Sequence, residues 1–166
     1  WSLTPVHASN NAQGYGSGSN RYDCFRQNSS NTLLLEKQTA AVKRIVRELN
    51  AFDNVYFEVM NEPWWNESNV KDAEEVAFHN AILAAVREEE ATLPNKHLVA
   101  HNFPQQISAL GTGYDILNEH YPASVPGSPI AGAEALLSNH YSRGKILSLD
   151  ETDTTTEPQT RLEAWM

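Results

Sequence analysis

The spacing of apolar and polar positions predicts two long amphipathic helices. The stretches are "TLLLEKQTAAVKRIVRELNAF", which begins at Thr32, and "DAEEVAFHNAILAAVREEEATL", which begins at Asp72. Apolar residues of the first recur every three or four positions, as on one face of a helix. The second has acidic residues in its first turn, which the helix dipole favours, and Pro94 follows its end. The apolar face of the first helix is predicted to comprise Leu35, Ala41, Val42, Ile45, Val46 and Leu49.

Four short apolar runs predict β-strands, because they are rich in β-branched or aromatic residues and too short for typical helices. They lie near residues 54–60, 97–102, 114–120 and 145–151. A third helix is expected in "AGAEALLSNHYS", before Gly144, and a last one from Pro158. Strands that alternate with helices favour a parallel sheet with crossover helices. The fold class is therefore predicted as α/β.

The length of 166 residues is typical of one domain. Residues 1–31 are dense in Asn, Gly and Ser, so a loop-rich entry precedes the alternating helices and strands of 32–166.

Polar residues that can take part in catalysis or ligand binding follow each predicted strand. In parallel sheets the carboxyl ends of the strands meet at one edge, where ligands bind. Four successive polar endings are more than solubility alone requires, so we expect a functional site there. The endings are Asn61-Glu62 before Pro63, His101-Asn102, Glu119-His120-Tyr121 and Asp150-Glu151.

A pair of carboxylates at these strand ends suits glycosidic bond cleavage. One carboxyl, such as Glu62, can protonate the leaving oxygen while the other, such as Glu151, attacks the sugar or activates water. Asn61 can hydrogen-bond a sugar hydroxyl, and His120 and Tyr121 can orient a carboxylate. The substrate-binding candidates also include Trp64, Trp65, His101 and Asn102. The tryptophans offer flat faces for sugar rings, although packing under a loop explains them equally well.

Composition limits the classes of partner. The net charge is −9 and no block of Lys or Arg occurs, so nucleic acid and anionic membranes are poor partners. No apolar run approaches the roughly 20 residues of a membrane span. The single cysteine, Cys24, excludes an internal disulfide and a multi-thiolate metal site.

The motifs "YFEVMNEP" and "ILSLDET" together resemble those of the clan A retaining glycoside hydrolases, which are cellulase-like (β/α)8 barrels. The resemblance implies that Glu62 is the acid/base and Glu151 the nucleophile. It also implies that Asn61 contacts the sugar 2-hydroxyl and that His120 and Tyr121 lie near the nucleophile. An oligosaccharide or polysaccharide with β-linkages would be the substrate, and no cofactor or metal is implied. Secretion or a periplasmic location follows by analogy alone.

The same resemblance implies a partial TIM barrel. A complete barrel needs about 250 residues, and the four predicted strands correspond to strands four to seven of eight. The chain begins at Trp1 without a signal peptide, so we expect a processed chain or part of a longer catalytic domain. Open sheet edges would then invite self-association. Glu58 would face the barrel interior as an unpaired carboxylate, and activity of this chain alone stays open.

Two alternatives compete with a glycosidase. The chain could be a non-catalytic carbohydrate-binding protein or an inactive fragment of such an enzyme. The other alternative is a metal-dependent hydrolase built from His97, His101, His120, His140 and the acidic residues at the strand ends. On one strand, His97 and His101 would lie about 13 Å apart, too far to share one ion. A bound metal, a bound sugar or the geometry of the two glutamates separates these cases.

Overall fold

The computed structural model describes residues 7, 9–15, 24–61, 73–102, 113–120, 137–138 and 141–151, with the backbone alone for 119–120 and 149–151. It is a small α/β protein in which a four-stranded parallel sheet alternates with helices along the chain, as predicted. The chain divides into two compact units. The first comprises Trp1–Val55 and Trp64–His97, and the second comprises Tyr56–Pro63 and Leu98–Met166.

Two packed helices form the first unit. Helix α1 spans Thr32–Leu49 and helix α2 spans Ala73–Glu90, so both predicted helices are confirmed. Apolar side chains of α2 and Val46 of α1 are buried, and this burial supplies most of the stabilisation. The ion pairs Lys43–Glu88 and Arg47–Glu89, each 2.7 Å long, join the two helices where water still reaches them.

The predicted apolar face of α1 is only partly covered. Val46 is fully buried, and Leu35, Val42 and Leu49 are half-buried, but Ile45 is 51% exposed and Ala41 is also exposed. Leu34, outside the predicted face, is buried instead. The predicted apolar face therefore includes positions that the packing leaves exposed.

The loop before α1 is attached to both helices. Cys24 is buried, and Gln38 Nε2 donates to its carbonyl over 3.0 Å. Backbone N–H of Gln27 donates to the Glu74 carbonyl over 2.9 Å, and Asn28 Nδ2 donates to the Glu74 carboxylate over 2.8 Å. These bonds fix residues 24–28 against α1 and α2.

A buried polar network ends α2. Glu90 is fully buried and accepts hydrogen bonds from the backbone N–H of His97 at 2.7 Å and from Arg87 at 3.1 Å. Its other contact is His97 Nδ1 at 2.9 Å, while His97 Nε2 lies 2.8 Å from the Phe52 carbonyl. Arg87 also donates to the His97 carbonyl over 2.8 Å. The network therefore joins the end of α2 to the segment that leaves it and to the segment after α1.

The sheet forms the second unit. Its strands are β1 (Phe57–Glu58), β2 (Val99–Asn102), β3 (Ile116–His120) and β4 (Ile146–Glu151). Their spatial order is β1-β2-β3-β4, and every neighbouring pair is parallel. All four predicted strands exist, but β1 is only two residues long.

Only part of the predicted third helix is described, because residues 131–136 and 139–140 lie outside the described residues. Helical residues are described at 137–138, and a 3₁₀ helix covers Tyr141–Arg143. Gly144 follows this 3₁₀ helix with φ 64°, a left-handed conformation that ends it. The expected connection "PQQISAL" and the helix from Pro158 lie outside the described residues.

Candidate functional site

All four strands direct their carboxyl ends to one edge of the sheet, because every pairing is parallel. Near that edge, Asn102 of β2 pairs with Asn118 of β3, and Asn118 pairs with Ser148 of β4. One step further along, His120 pairs with Glu151. The register therefore brings two of the predicted site positions, 120 and 151, next to each other.

A β-bulge lies at this end of β4. Glu119 pairs with Leu149 and His120 with Glu151, so Asp150 is an extra residue on β4. In a regular strand, position 151 would share a face with positions 147 and 149. The bulge shifts the register by one residue, so that position 151 pairs with position 120 instead of position 121. Bulges of this kind occur often beside active sites, where they re-aim a residue.

Glu58, Asn102 and Asn118 form a polar row on one face of the sheet. Asn102 and Asn118 are both fully buried, and Asn118 Nδ2 donates a hydrogen bond to Glu58 Oε2. Glu58 itself is half-buried. The expectation that Glu58 is an unpaired carboxylate was therefore wrong, because an amide two strands away pairs with it. Within the described part of the chain, Asn118 Oδ1 is buried without a hydrogen-bond partner.

His101 lies on the opposite face from Asn102. It pairs with Leu117, and successive strand residues point to opposite sides of a sheet. Its ring is 5.1 Å from the ring of Tyr114, and both side chains are buried. Burial raises the pKa of the Tyr114 hydroxyl, so that group stays neutral. His101 and Asn102, both predicted to contact the sugar, therefore lie on opposite faces of the sheet.

The remaining predicted residues differ in how far they are described. Asn61 is exposed, three residues beyond β1. His120 and Glu151 are described by their backbone pairing. Glu62, Trp64, Trp65 and Tyr121 lie outside the described residues. Their roles stay predictions.

Sequence reasoning missed Asn118 as part of the site. The signal was present in "YDILNEH", because faces alternate along a strand and Asn118, two residues before His120, shares a face with that position. That alternation placed Asn118 beside the predicted His120 position. Its partner Glu58 lies 60 residues away in sequence, and no local pattern could reveal that bond.

Two negative observations apply to the described part of the chain. Over those residues, no group of three or more His, Cys, Asp or Glu side chains is arranged to hold a metal ion. His97 of the metal hypothesis instead contacts Glu90 and the Phe52 carbonyl. No helix among these residues has the length and apolar character needed to cross a membrane.

Comparison of the chain with models of known protein families, with curated proteins and with solved structures found no match. The fold and site define an α/β protein with a polar row leading to the carboxyl edge of a parallel sheet.

Proposed function

We propose that this protein is a retaining glycoside hydrolase that cleaves β-linked glycans, with Glu62 as acid/base and Glu151 as nucleophile. In this proposal the sheet corresponds to strands four to seven of a (β/α)8 barrel. The resemblance of "YFEVMNEP" and "ILSLDET" to clan A enzymes supports the assignment of the two glutamates.

The observation that carries the proposal is the strand order. Each strand pairs with the next one along the chain, without any reversal among the four described strands. A doubly wound sheet reverses its order at a switch point, whereas barrel strands follow one another around the ring. The sequential parallel order therefore supports an arc of a barrel over an open doubly wound sheet. Enzymes with barrels of this kind act at the carboxyl end of their strands.

The bulge in β4 and the polar row add chemical support. The bulge lies at the predicted nucleophile, and bulges often re-aim a residue beside an active site. Asn102, which is buried on the same face as Glu58, continues the polar row toward the carboxyl ends of the strands. His101 packs against Tyr114 on the opposite face, so its position favours a packing role over a sugar contact.

In the proposed mechanism, the Glu151 carboxylate attacks the anomeric carbon while Glu62 protonates the departing glycosidic oxygen. The product is a glycosyl ester on Glu151 and a free sugar hydroxyl. Glu62, now ionised, removes a proton from water, and that water breaks the ester with a second inversion. The net configuration is retained. Asn61 hydrogen-bonds the 2-hydroxyl, and His120 and Tyr121 orient the nucleophile.

The test is hydrolysis of a panel of β-linked glucans, mannans and xylans by the purified chain, with the first product anomer read by NMR. A retaining enzyme releases the β-anomer first. Glu62→Ala and Glu151→Ala should each lower kcat by at least about a hundredfold. Glu36→Ala, which removes an exposed carboxylate from α1, is the matched control and should leave kcat within about twofold.

Azide distinguishes the two roles with an activated β-glycoside. In Glu62→Ala, azide attacks the glycosyl ester on Glu151 and gives a β-glycosyl azide. In Glu151→Ala, azide occupies the vacated space, attacks the substrate directly and gives the α-azide. Reversed products would exchange the two assignments. Sugar binding without any release of reducing ends would favour a carbohydrate-binding protein or an inactive fragment and would refute activity of this chain.

A further inference from the structure

The ladder that holds β1 is the shortest in the sheet. β1 forms two register pairs with β2, Phe57↔Val99 and Glu58↔Ala100. β3 and β4, by contrast, share five pairs. Beyond Glu58, no further pair among the described residues joins the chain to β2. Backbone pairing alone therefore holds the segment that leads to Asn61 only weakly.

A side-chain bond supplies a second connection. The Glu58 carboxylate passes over β2 and accepts from Asn118 Nδ2 on β3. Ala100, the residue of β2 directly beside Glu58, is fully buried and has only a methyl group. A larger side chain at that position would stand between Glu58 and β3.

The chemistry of the pair fixes its orientation. A carboxylate only accepts hydrogen bonds when ionised, so the nitrogen of the Asn118 amide must face Glu58. Such charge-assisted bonds are stronger than neutral ones. Because Asn118 is fully buried, water cannot readily replace Glu58 as its partner.

We infer that Glu58 and Asn118 are a positioning pair that holds the end of β1 at a fixed place relative to β3 and β4. Asn118 lies two residues before His120, which pairs with Glu151. The route from Glu58 to position 151 thus runs through one side-chain bond, a short piece of β3 and one strand pair. The role in catalysis rests on the proposed function.

The spacing of the two catalytic carboxylates gives the pair its importance. Retaining enzymes keep these groups about 5–5.5 Å apart, and inverting enzymes about 6.5–9.5 Å apart. A displacement of β1 by one or two ångströms would therefore move Glu62 out of the retaining range. Neither Glu58 nor Asn118 touches the reacting atoms in this scheme.

An isosteric exchange tests the inference. Asn118→Asp brings two carboxylates face to face, whereas Glu58→Gln/Asn118→Asp exchanges the amide and the carboxylate and restores one donor and one acceptor. The readout is hydrogen exchange of the Phe57 amide, which donates to the Leu98 carbonyl over 3.0 Å. Exchange should become about tenfold faster or more in Asn118→Asp and return toward the wild-type rate in the double variant.

Two controls make the exchange measurement specific to β1. The Ile146 amide, which donates to the Asp115 carbonyl over 2.9 Å at the start of β4, should exchange at an unchanged rate in all variants. Ser148→Ala removes a half-buried hydroxyl from the position paired with Asn118 and should leave the Phe57 amide unaffected. Equal acceleration of both amides in Asn118→Asp would mean general weakening of the sheet and would overturn the inference.

Catalysis provides the second readout. Asn118→Asp should lower kcat about tenfold with little change in KM, since positioning affects the transition state more than substrate binding. The double variant should recover most of that loss. A double variant as impaired as Asn118→Asp, in both exchange and kcat, would overturn the inference. A wild-type chain without hydrolytic activity would refute catalysis by this chain, while the exchange rates would still decide whether the pair holds β1.

Discussion

Replacement of His79 by Leu should remove a large part of the acid sensitivity of this protein. His79 lies on α2, is fully buried and contacts the Phe78 ring edge-on with centroids 6.0 Å apart. Burial lowers the pKa of His79 from 6.5 to about 4, because the charged imidazolium loses its hydration. At a pH between these two values, the unfolded chain therefore binds a proton at His79 and the folded chain does not.

The sign and size of the effect of His79 on the free energy of unfolding follow from proton linkage. Between pH 6.5 and about pH 4, the unfolded state binds more protons, so the free energy of unfolding decreases as the pH falls. One pKa unit corresponds to about 1.4 kcal/mol, and the shift therefore amounts to about 3 kcal/mol in total. The stabilisation is complete above the ordinary pKa of 6.5 and is lost as the pH falls to about 4. A loss of this size is a large share of the total stability of a typical domain.

The assay is urea unfolding, followed by circular dichroism, of the wild-type and His79→Leu proteins at about pH 7.5 and about pH 4.5. The wild-type free energy of unfolding should drop by about 2.5 kcal/mol more than that of the variant. Carboxylates titrate in both proteins and cancel in the difference. Parallel losses in the two proteins, or a His79 ring that titrates near 6.5 in the folded state by NMR, would refute the reasoning.

Three further substitutions test the stability argument by urea unfolding. Gly144→Ala should lower the free energy of unfolding by about 1–2 kcal/mol, because Gly144 has φ 64°. No atom lies within 4 Å of an added Cβ, so the cost comes from the backbone conformation alone. A cost near zero would contradict this. Glu90→Ala should cost about 3–5 kcal/mol, because it leaves Arg87 and His97 without their buried acceptor; a cost below about 1 kcal/mol would show that water replaces the carboxylate. Arg47→Ala, which breaks an ion pair to Glu89 with half of the Arg47 side chain exposed, should cost no more than about 1 kcal/mol; a larger loss would indicate packing by its aliphatic stem.

The helices were predictable because their signals are local. The apolar spacing of α1 and the acidic first turn of α2 lie within single stretches of chain, and Pro94 marks an end that packing does not override. The parallel α/β class followed from alternation alone. Even here, packing decided which residues are covered, as the exposed Ile45 and the buried Leu34 demonstrate.

Long-range contacts set the limits of prediction. The run "NVYFEVM" has the composition of a strand, yet only Phe57 and Glu58 find partners on β2. The bulge at Asp150 breaks the period of two from which faces are assigned, so position 151 could not be placed by counting. His101 and Asn102 were expected to act together, but strand geometry separates them by one face. The first two failures depend on partners distant in sequence, whereas the separation of His101 and Asn102 follows from local strand alternation.

The attached loop before α1 gives the protein a built-in kinetic reporter. Cys24 is the sole thiol of the chain and is 2% exposed. A thiol reagent can modify it only during excursions that lift the loop from the helices, so at high reagent concentration the modification rate equals the opening rate. No label needs to be introduced for such a measurement. The frequency of opening of the first unit can thus be followed in the unaltered protein while sugars are added or the pH is changed.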